Sequence, residues 1–291
     1  MKKIGINVFS HLSITNQQKG LQVTRQSISD IQSSPPLDVY NFETLVEYIA
    51  NISYYNRQFC LFYRGQNNNY PQESNFTSLY PKIYRGNLNK VTLAKQFDIL
   101  EKASKKMKGL LTEQKVALKI VGLNNLNKFK ELTWAILQHY EIFPTPVLDI
   151  TQSLRVAASF ALLNKNGSII DEGFLYVLGL PYINDNISFH VSDELFNIKL
   201  LSVCPPLAKR PFFQEGFGVG TFPHYEFETR DDKFDFNRRL IAKFKLVNTN
   251  KDFFGDGFNI IPFSSLFPNN HDAFYEMLQP LRDDPELKCL L

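Results

Sequence analysis

The feature that most constrains this chain is a change of hydrophobic period across Pro144-Thr145-Pro146. Before it, apolar residues recur every three or four positions. Residues 91–108 put Ala94, Phe97, Leu100 and Met107 on one face, and 125–142 do the same with Leu126, Phe129, Leu132, Ile136, Leu137 and Tyr140. Between them 112–121 reads as a shorter helix closed by Gly122, and Pro144 requires the longer one to stop. Further upstream, Asn41 can cap a helix carrying Phe42, Leu45, Val46 and Ile49. After Pro146 the pattern is that of strands: VLDIT (147–151), GFLYVLGLP (173–181), FFQEGFGVGTF (212–222) and RRLIAKFKLVN (238–248). A small-residue helix, SLRVAASFALLN (153–164), a helix at 193–201 and a final helix in NNHDAFYEMLQPL interrupt them. Helices gathered in the middle third and strands in the last third predict an α+β fold. We expect a single domain over 41–280 with mixed or antiparallel sheets forming a cleft. Residues 1–40 read as an extension, with 10–37 a loosely attached arm, and 281–291 as an acidic tail.

The stretch FCLFYRGQ (59–66) poses a chemical question, because an apolar strand runs straight into Arg64 and Gly65. Either the strand reaches water there, or an anion is received by the guanidinium and Gly65 lets the backbone approach it. The totals exclude several classes. Three scattered cysteines make neither a disulfide framework nor a zinc site. MKKIGINVFSHLS is no secretory signal, and no apolar run is long enough to span a membrane, so a cytoplasmic setting is expected. The net charge of +3 conceals a basic block: residues 82–130 carry twelve Lys/Arg against three acids, so the rest of the chain is net acidic. That block reads either as a solvated helical face or as a track for phosphates or nucleic acid.

Four stretches place polar groups where an apolar core would not hold them, and their order and wording resemble the FRG domain family. Phe62-Tyr63-Arg64-Gly65 stands for the Phe-Arg-Gly signature, followed by Pro81 to Arg85 for a Pro-x-x-x-Arg segment. Gln138, His139 and Tyr140 match next, with Glu141 in place of the usual glycine. Pro144, Thr145, Leu148, Asp149 and Thr151 then match, with Pro146 for arginine and Ile150 for tryptophan. Arg210, Gln214, Gly216 and Phe217 match a late Arg-x-x-x-Gln-x-Gly-x-Phe pattern, and SLFPNNHDAF (265–274) is similar to the closing segment. The resemblance covers roughly 42–280.

A further likeness, of layout alone, connects these motifs to ADP-ribosyltransferases: an Arg-bearing strand, a Ser/Thr turn into a small-residue helix, then a late Gln/Glu segment. It implies an ADP-ribosyltransferase-like fold and NAD as substrate, without a metal. For catalysis it implies Arg64, Gln214 and Glu215; for holding NAD it implies Gly65, Gln66, Arg85, His139, Asp149, Thr151 and Ser153. The chemistry is coherent, since breaking the nicotinamide bond builds positive charge on the ribose. Arg64 would fix the pyrophosphate, Thr151 and Ser153 the ribose, and Gln214 or Glu215 would face the developing cation. In a strand 214 and 215 point to opposite faces, so both serve one pocket only across a bulge.

Plainer readings stand beside these. His139 is either a base or a core histidine bonded to Asp149; Asp149 between Leu148 and Ile150 is either a ligand contact or an anchor for Arg64 or His139. Arg155 reads as a surface residue of its helix. The implied function is transfer of ADP-ribose to a macromolecular acceptor, protein or nucleic acid, in a toxin, phage-defence or counter-defence role with an antitoxin or immunity partner. The rival is a non-catalytic nucleotide- or macromolecule-binding module. A metal nuclease is disfavoured because no Asp/Glu/His cluster has ligand spacing.

Overall fold

The strand-forming segments are β1 (Val8–His11), β2 (Val23–Gln26), β3 (Leu37–Val39), β4 (Cys60–Gln66), β5 (Val147–Thr151), β6 (Glu172–Leu180), β7 (Ile187–His190), β8 (Leu195–Lys199), β9 (Gly216–Thr221) and β10 (Leu240–Val247). The helices are α1 (Ile28–Ser33), α2 (Phe42–Tyr55), α3 (Lys90–Glu113), α4 (Leu123–Lys128), α5 (Lys130–His139), α6 (Leu154–Leu162), α7 (Leu200–Val203), α8 (Arg210–Phe213), α9 (Phe263–Leu266), α10 (Ala273–Arg282) and α11 (Pro285–Lys288). This computed structural model describes residues 1–5, 8–11, 23–70, 77–86, 89–114, 123–223, 232–257 and 259–288. Among them, β1 and β2 form an antiparallel pair, and the other strands form an eight-stranded sheet in the order β3-β10-β6-β4-β5-β9-β8-β7. Its pairs are antiparallel except β3 with β10, so the fold is α+β with a mixed sheet.

Two apolar clusters fill the body. One packs α2 and α6 on β4, β6 and β10; the other joins α3, α5 and α10 to β8 through residues such as Phe97, Trp134, Phe196 and Phe274. The helices start where side-chain acceptors are available: Asn41 accepts from Thr44 N at 2.8 Å and Asn89 from Thr92 N at 2.8 Å. Helix α6 lies against β4 and β6 by small residues, Ala157, Ala158 and Ala161 being fully buried. No described helix is long and apolar enough to cross a membrane.

Several expectations are corrected. Arg64 does not end its strand: β4 continues through Gln66, with Arg64 opposite Tyr176 and Gln66 opposite Phe174. Gly65 answers a packing demand, since a Cβ there would lie 1.8 Å from the Ala157 carbonyl oxygen, so its lack of a side chain admits α6. The region 10–37 is not a loose arm where it is described. Ile28 and Ile31 are buried, and β3 pairs with β10. Residues 193–201 form β8 flanked by a 3-10 turn and α7 rather than one helix. The 125–142 helix breaks at Phe129 into α4 and α5, and 112–121 lies mostly outside the described residues. The basic block is partly matched internally, because Lys106 pairs with Asp284 and, at 2.7 Å, with Glu286 beside and in α11.

Two glycine replacements separate packing from propensity. Gly65→Ala drives a methyl into backbone and is expected to cost at least about 1–3 kcal/mol. Gly109→Ala, on the exposed side of α3 with nothing near its Cβ, is expected to gain about 0.5–1 kcal/mol. Urea unfolding of both variants checks the opposite signs.

Candidate functional site

The site begins at a parting in the sheet. β4 and β5 are in register only at Tyr63 opposite Thr151; beyond it β4 stays with β6 while β5 stays with β9. The Arg64 guanidinium fills the gap and donates from Nη1 to the Asp149 carbonyl oxygen at 2.6 Å. The opening forms a cleft of about 660 Å³, lined among others by Tyr63, Arg64, Arg85, Asp149, Arg210 and Gln214. Burial pulls the Arg64 pKa down to about 10, with the charge of Arg85 adding to the effect and Asp149 opposing it. Arg85 is lowered by burial too, and it donates from Nε to the Tyr80 carbonyl at 2.9 Å. Arg64 Nε is buried without a hydrogen-bond partner among the described residues. Lys82, Lys165 and Arg282 add further positive charge to the walls, against only Glu141 and Asp149.

The Asp149 carboxylate is the hub of the floor. Gln138 donates to one oxygen at 2.9 Å and His139 Nδ1 lies 3.2 Å from the other. Thr145 donates to Gln138 Oε1 at 3.2 Å and accepts from Val147 N, which fixes the start of β5. Burial alone would raise the Asp149 carboxyl, but the hydrogen bonds from His139 and Gln138 and the charge of Arg64 outweigh it and hold it below the ordinary carboxylate value. Burial dominates at His139, which is 1% exposed, and lowers its pKa despite the neighbouring carboxylate. A neutral His139 therefore donates from Nδ1 and keeps Nε2 unprotonated; Nε2 finds no partner among the described residues. The charge on Asp149 is shielded, yet 31% of its side chain stays exposed at the cleft.

The opposite wall hangs from Asp272. One of its oxygens accepts from Tyr140 Oη at 2.9 Å, Lys209 N at 3.1 Å and Arg210 N at 2.9 Å; the other caps α10 at Phe274 N and Tyr275 N. This fixes α8 and its Arg210, which is 5% exposed and lies over the Phe267 ring at 4.6 Å. Arg210 Nη2 meets Glu141 Oε1 at 2.8 Å. Glu141 closes α5: its N–H bonds the Gln138 carbonyl and the Ile142 N–H bonds the Leu137 carbonyl, a Schellman arrangement. That places Glu141 at φ +55°, where a non-glycine residue costs roughly 1–2 kcal/mol. The glycine usual in the FRG pattern suits this backbone position.

The implied residues are thus only partly gathered. Arg64, Gly65, Gln66, Arg85, Asp149, Thr151 and Gln214 line the cleft, whereas His139 sits behind Asp149 and is not on the surface of the cavity. Thr151 Oγ1 accepts from Ser153 N at 3.0 Å, and Ser153, which precedes α6, is not on the cleft wall. Gln214 and Glu215 do not lie on a strand. Gln214 follows the short helix α8 and Glu215 turns the chain at φ +44° before β9 begins at Gly216, so no bulge is needed. Gln214 donates to the Leu266 carbonyl at 2.7 Å, while Glu215 is exposed and outside the cleft. Arg155 donates to the Asn259 carbonyl from the exposed side of α6. Arg210, Glu141 and Asp272 carry more of the wall than the sequence suggested; only their places in the ordered motifs signalled them.

A family model described as the FRG domain matches residues 60–168, which spans β4 through α6 and includes Arg64, Arg85 and Asp149. No curated protein and no solved structure gives a match.

Acid should weaken the floor in a defined direction. His139 binds its proton less readily folded than unfolded, so the unfolded chain takes up protons first and stability falls as pH drops through about 6.5, the ordinary histidine value. Asp149, lowered in the folded state, adds a loss only near and below its ordinary value of 3.8. Urea unfolding at pH 7.5 and 5.5 is expected to show a smaller loss in His139→Gln than in the wild type. The half-buried His190 titrates in both proteins, so the difference isolates His139.

Proposed function

The chain carries an FRG domain, and we propose that its cleft binds NAD by the pyrophosphate and transfers ADP-ribose to a macromolecule. The observation that carries this reading is the Arg64–Arg85 pair. The charge of Arg85 lowers the proton affinity of Arg64, which brings the two guanidiniums into one neighbourhood, and neither makes an ion pair among the described residues. Both are tied instead to backbone carbonyls, which orient a donor fork without cancelling its charge. A bound pyrophosphate would relieve their repulsion. Aromatic walls from Tyr63, Phe160 and Phe267 would cover the flat rings of a dinucleotide.

Asp149 takes the role that the sequence reading divided between Gln214 and Glu215. It is a carboxylate of the cleft wall beside Arg64, held ionised by its neighbours, and it would oppose positive charge developing on the ribose. A second reading, a non-catalytic nucleotide-binding module, is favoured by the engaged Gln214 amide and the outward Glu215. The acceptor, protein or nucleic acid, and a toxin, phage-defence or counter-defence role with an antitoxin or immunity partner belong to the same proposal.

Calorimetry with NAD and nicotinamide release in cell extract test it. Arg85→Ala is expected to weaken NAD binding by about tenfold or more, the loss of one charged hydrogen-bonding partner. Arg64→Lys keeps the charge but loses the fork and should also weaken it. Asp149→Asn is expected to lower turnover far more than affinity, and Glu215→Ala to change neither. Wild-type protein that binds no NAD sinks both readings for this nucleotide; NAD binding without nicotinamide release leaves the binding module.

A further inference from the structure

The ion pair between Arg210 and Glu141 has an unusual distribution of exposure. Arg210 is 5% exposed and packed on Phe267, yet its only carboxylate among the described residues is Glu141, whose side chain is 54% exposed. Arg210 Nε is buried and has no hydrogen-bond partner among the described residues, so the guanidinium is engaged through Nη2 and incompletely satisfied. A buried cation is retained at a cost unless anions and hydrogen bonds surround it. Its partner here swings from a position whose left-handed backbone favours glycine, which costs the fold something to keep a side chain there. Both residues line the same cleft as Arg64, and both act electrostatically on His139, the group that holds Asp149. The cleft wall therefore carries, besides Arg64 and Arg85, a further arginine that is almost wholly shut away from water.

We propose that Arg210 is the centre of a second anion subsite, that Glu141 occupies it in the empty protein, and that a phosphate or carboxylate group displaces the Glu141 carboxylate on binding. Arg210 is preorganised for this: Asp272 accepts from its backbone N–H, Phe267 supports its face, and its fork already holds a carboxylate oxygen at 2.8 Å. Glu141 is free to leave because its side chain is largely in water and its backbone hydrogen bonds do not involve the carboxylate. The subsite goes beyond NAD recognition by Arg64 and Arg85 and rests on that reading only for the nature of the first ligand. The second anion has two sources, the other phosphate of the same pyrophosphate or an acid on a separate co-substrate.

Inorganic phosphate and NAD, each titrated by calorimetry at fixed ionic strength and again with the other present, distinguish them. Glu141→Gln removes the competing charge and leaves the backbone as it is; Glu141→Gly removes the side chain and suits the left-handed turn. Both are expected to tighten phosphate binding at least about fivefold, the loss of one competing ion pair. Arg210→Lys in either background is expected to abolish the gain, with thermal unfolding confirming that the variant is folded. Tighter NAD binding in Glu141→Gln assigns both anions to one nucleotide. Tighter phosphate at saturating NAD, with NAD affinity unchanged, assigns the second anion to a separate molecule. If phosphate and NAD bind folded Glu141→Gln and Glu141→Gly no more tightly than the wild type, the subsite is overturned. Phosphate that tightens in a protein that never binds NAD overturns the NAD reading and leaves the subsite standing.

Discussion

The hydrogen bond from Arg64 to the Asp149 carbonyl is the interaction on which the site depends. Where two neighbouring strands of a sheet diverge, each loses a row of backbone partners, and a buried carbonyl left alone costs about 1–3 kcal/mol. β4 and β5 meet this cost with a side chain: Arg64 reaches across the gap that opens past Tyr63 and Thr151. The same event keeps the cleft open, because a guanidinium is too bulky and too polar to let the ladder close. It also places a cation on the cavity wall, tied to a backbone carbonyl and answered by the nearby charge of Asp149.

That arrangement explains why the surroundings are polar and ordered. Gln138, His139 and Thr145 all serve to hold the Asp149 carboxylate in one place, and Asp149 in turn carries the carbonyl that Arg64 needs. Asp272 does comparable work on the far wall, satisfying the start of α8, the cap of α10 and the Tyr140 hydroxyl at once. Such networks hold a unique geometry when every member is satisfied. Of the buried polar atoms without a hydrogen-bond partner among the described residues, Arg64 Nε, Gln66 Oε1, Arg210 Nε and Asn269 Oδ1 belong to residues of the cavity wall.

Much of this was legible where local signals and tertiary demand agree. VLDIT is β5 residue for residue, and the alanines of 153–164 form the helix that packs closely on the sheet. The sequence could not reveal β8, because Leu195, Phe196, Asn197 and Ile198 are buried on both faces and leave no alternation to read. It misread 212–215 as strand because two phenylalanines precede Gln214, yet both are exposed and α8 is fixed by Asp272, some sixty residues away in the chain. The arm was misjudged for a similar reason: β3 is three residues long and owes its place to β10. The family's motif order brought out Arg64, Asp149 and Gln214 together, and the His139–Asp149 bond was among the readings the sequence offered, whereas the packing of Gly65 on Ala157 and the tie of Gln214 to the Leu266 carbonyl needed the tertiary structure.

The division of charge within the cleft limits the chemistry it can support. Arg64 and Arg85 repel each other, so an anion bound between them would relieve that repulsion as well as gain new hydrogen bonds. Asp149 is kept ionised by the hydrogen bonds to its oxygens and the charge of Arg64, which makes it a poor proton donor at neutral pH. On the transferase reading it must act as a fixed negative charge, and the proton of an incoming nucleophile must go elsewhere. His139 has an unprotonated Nε2, but that atom is buried behind Asp149 and away from the cavity. Exposed Glu215 lies outside as well. The chain's own groups therefore favour the dissociative half of such a transfer, in which binding and charge stabilisation break the glycosidic bond, over the activation of an acceptor. An acceptor that needs little activation suits this cleft better than one that must first lose a proton.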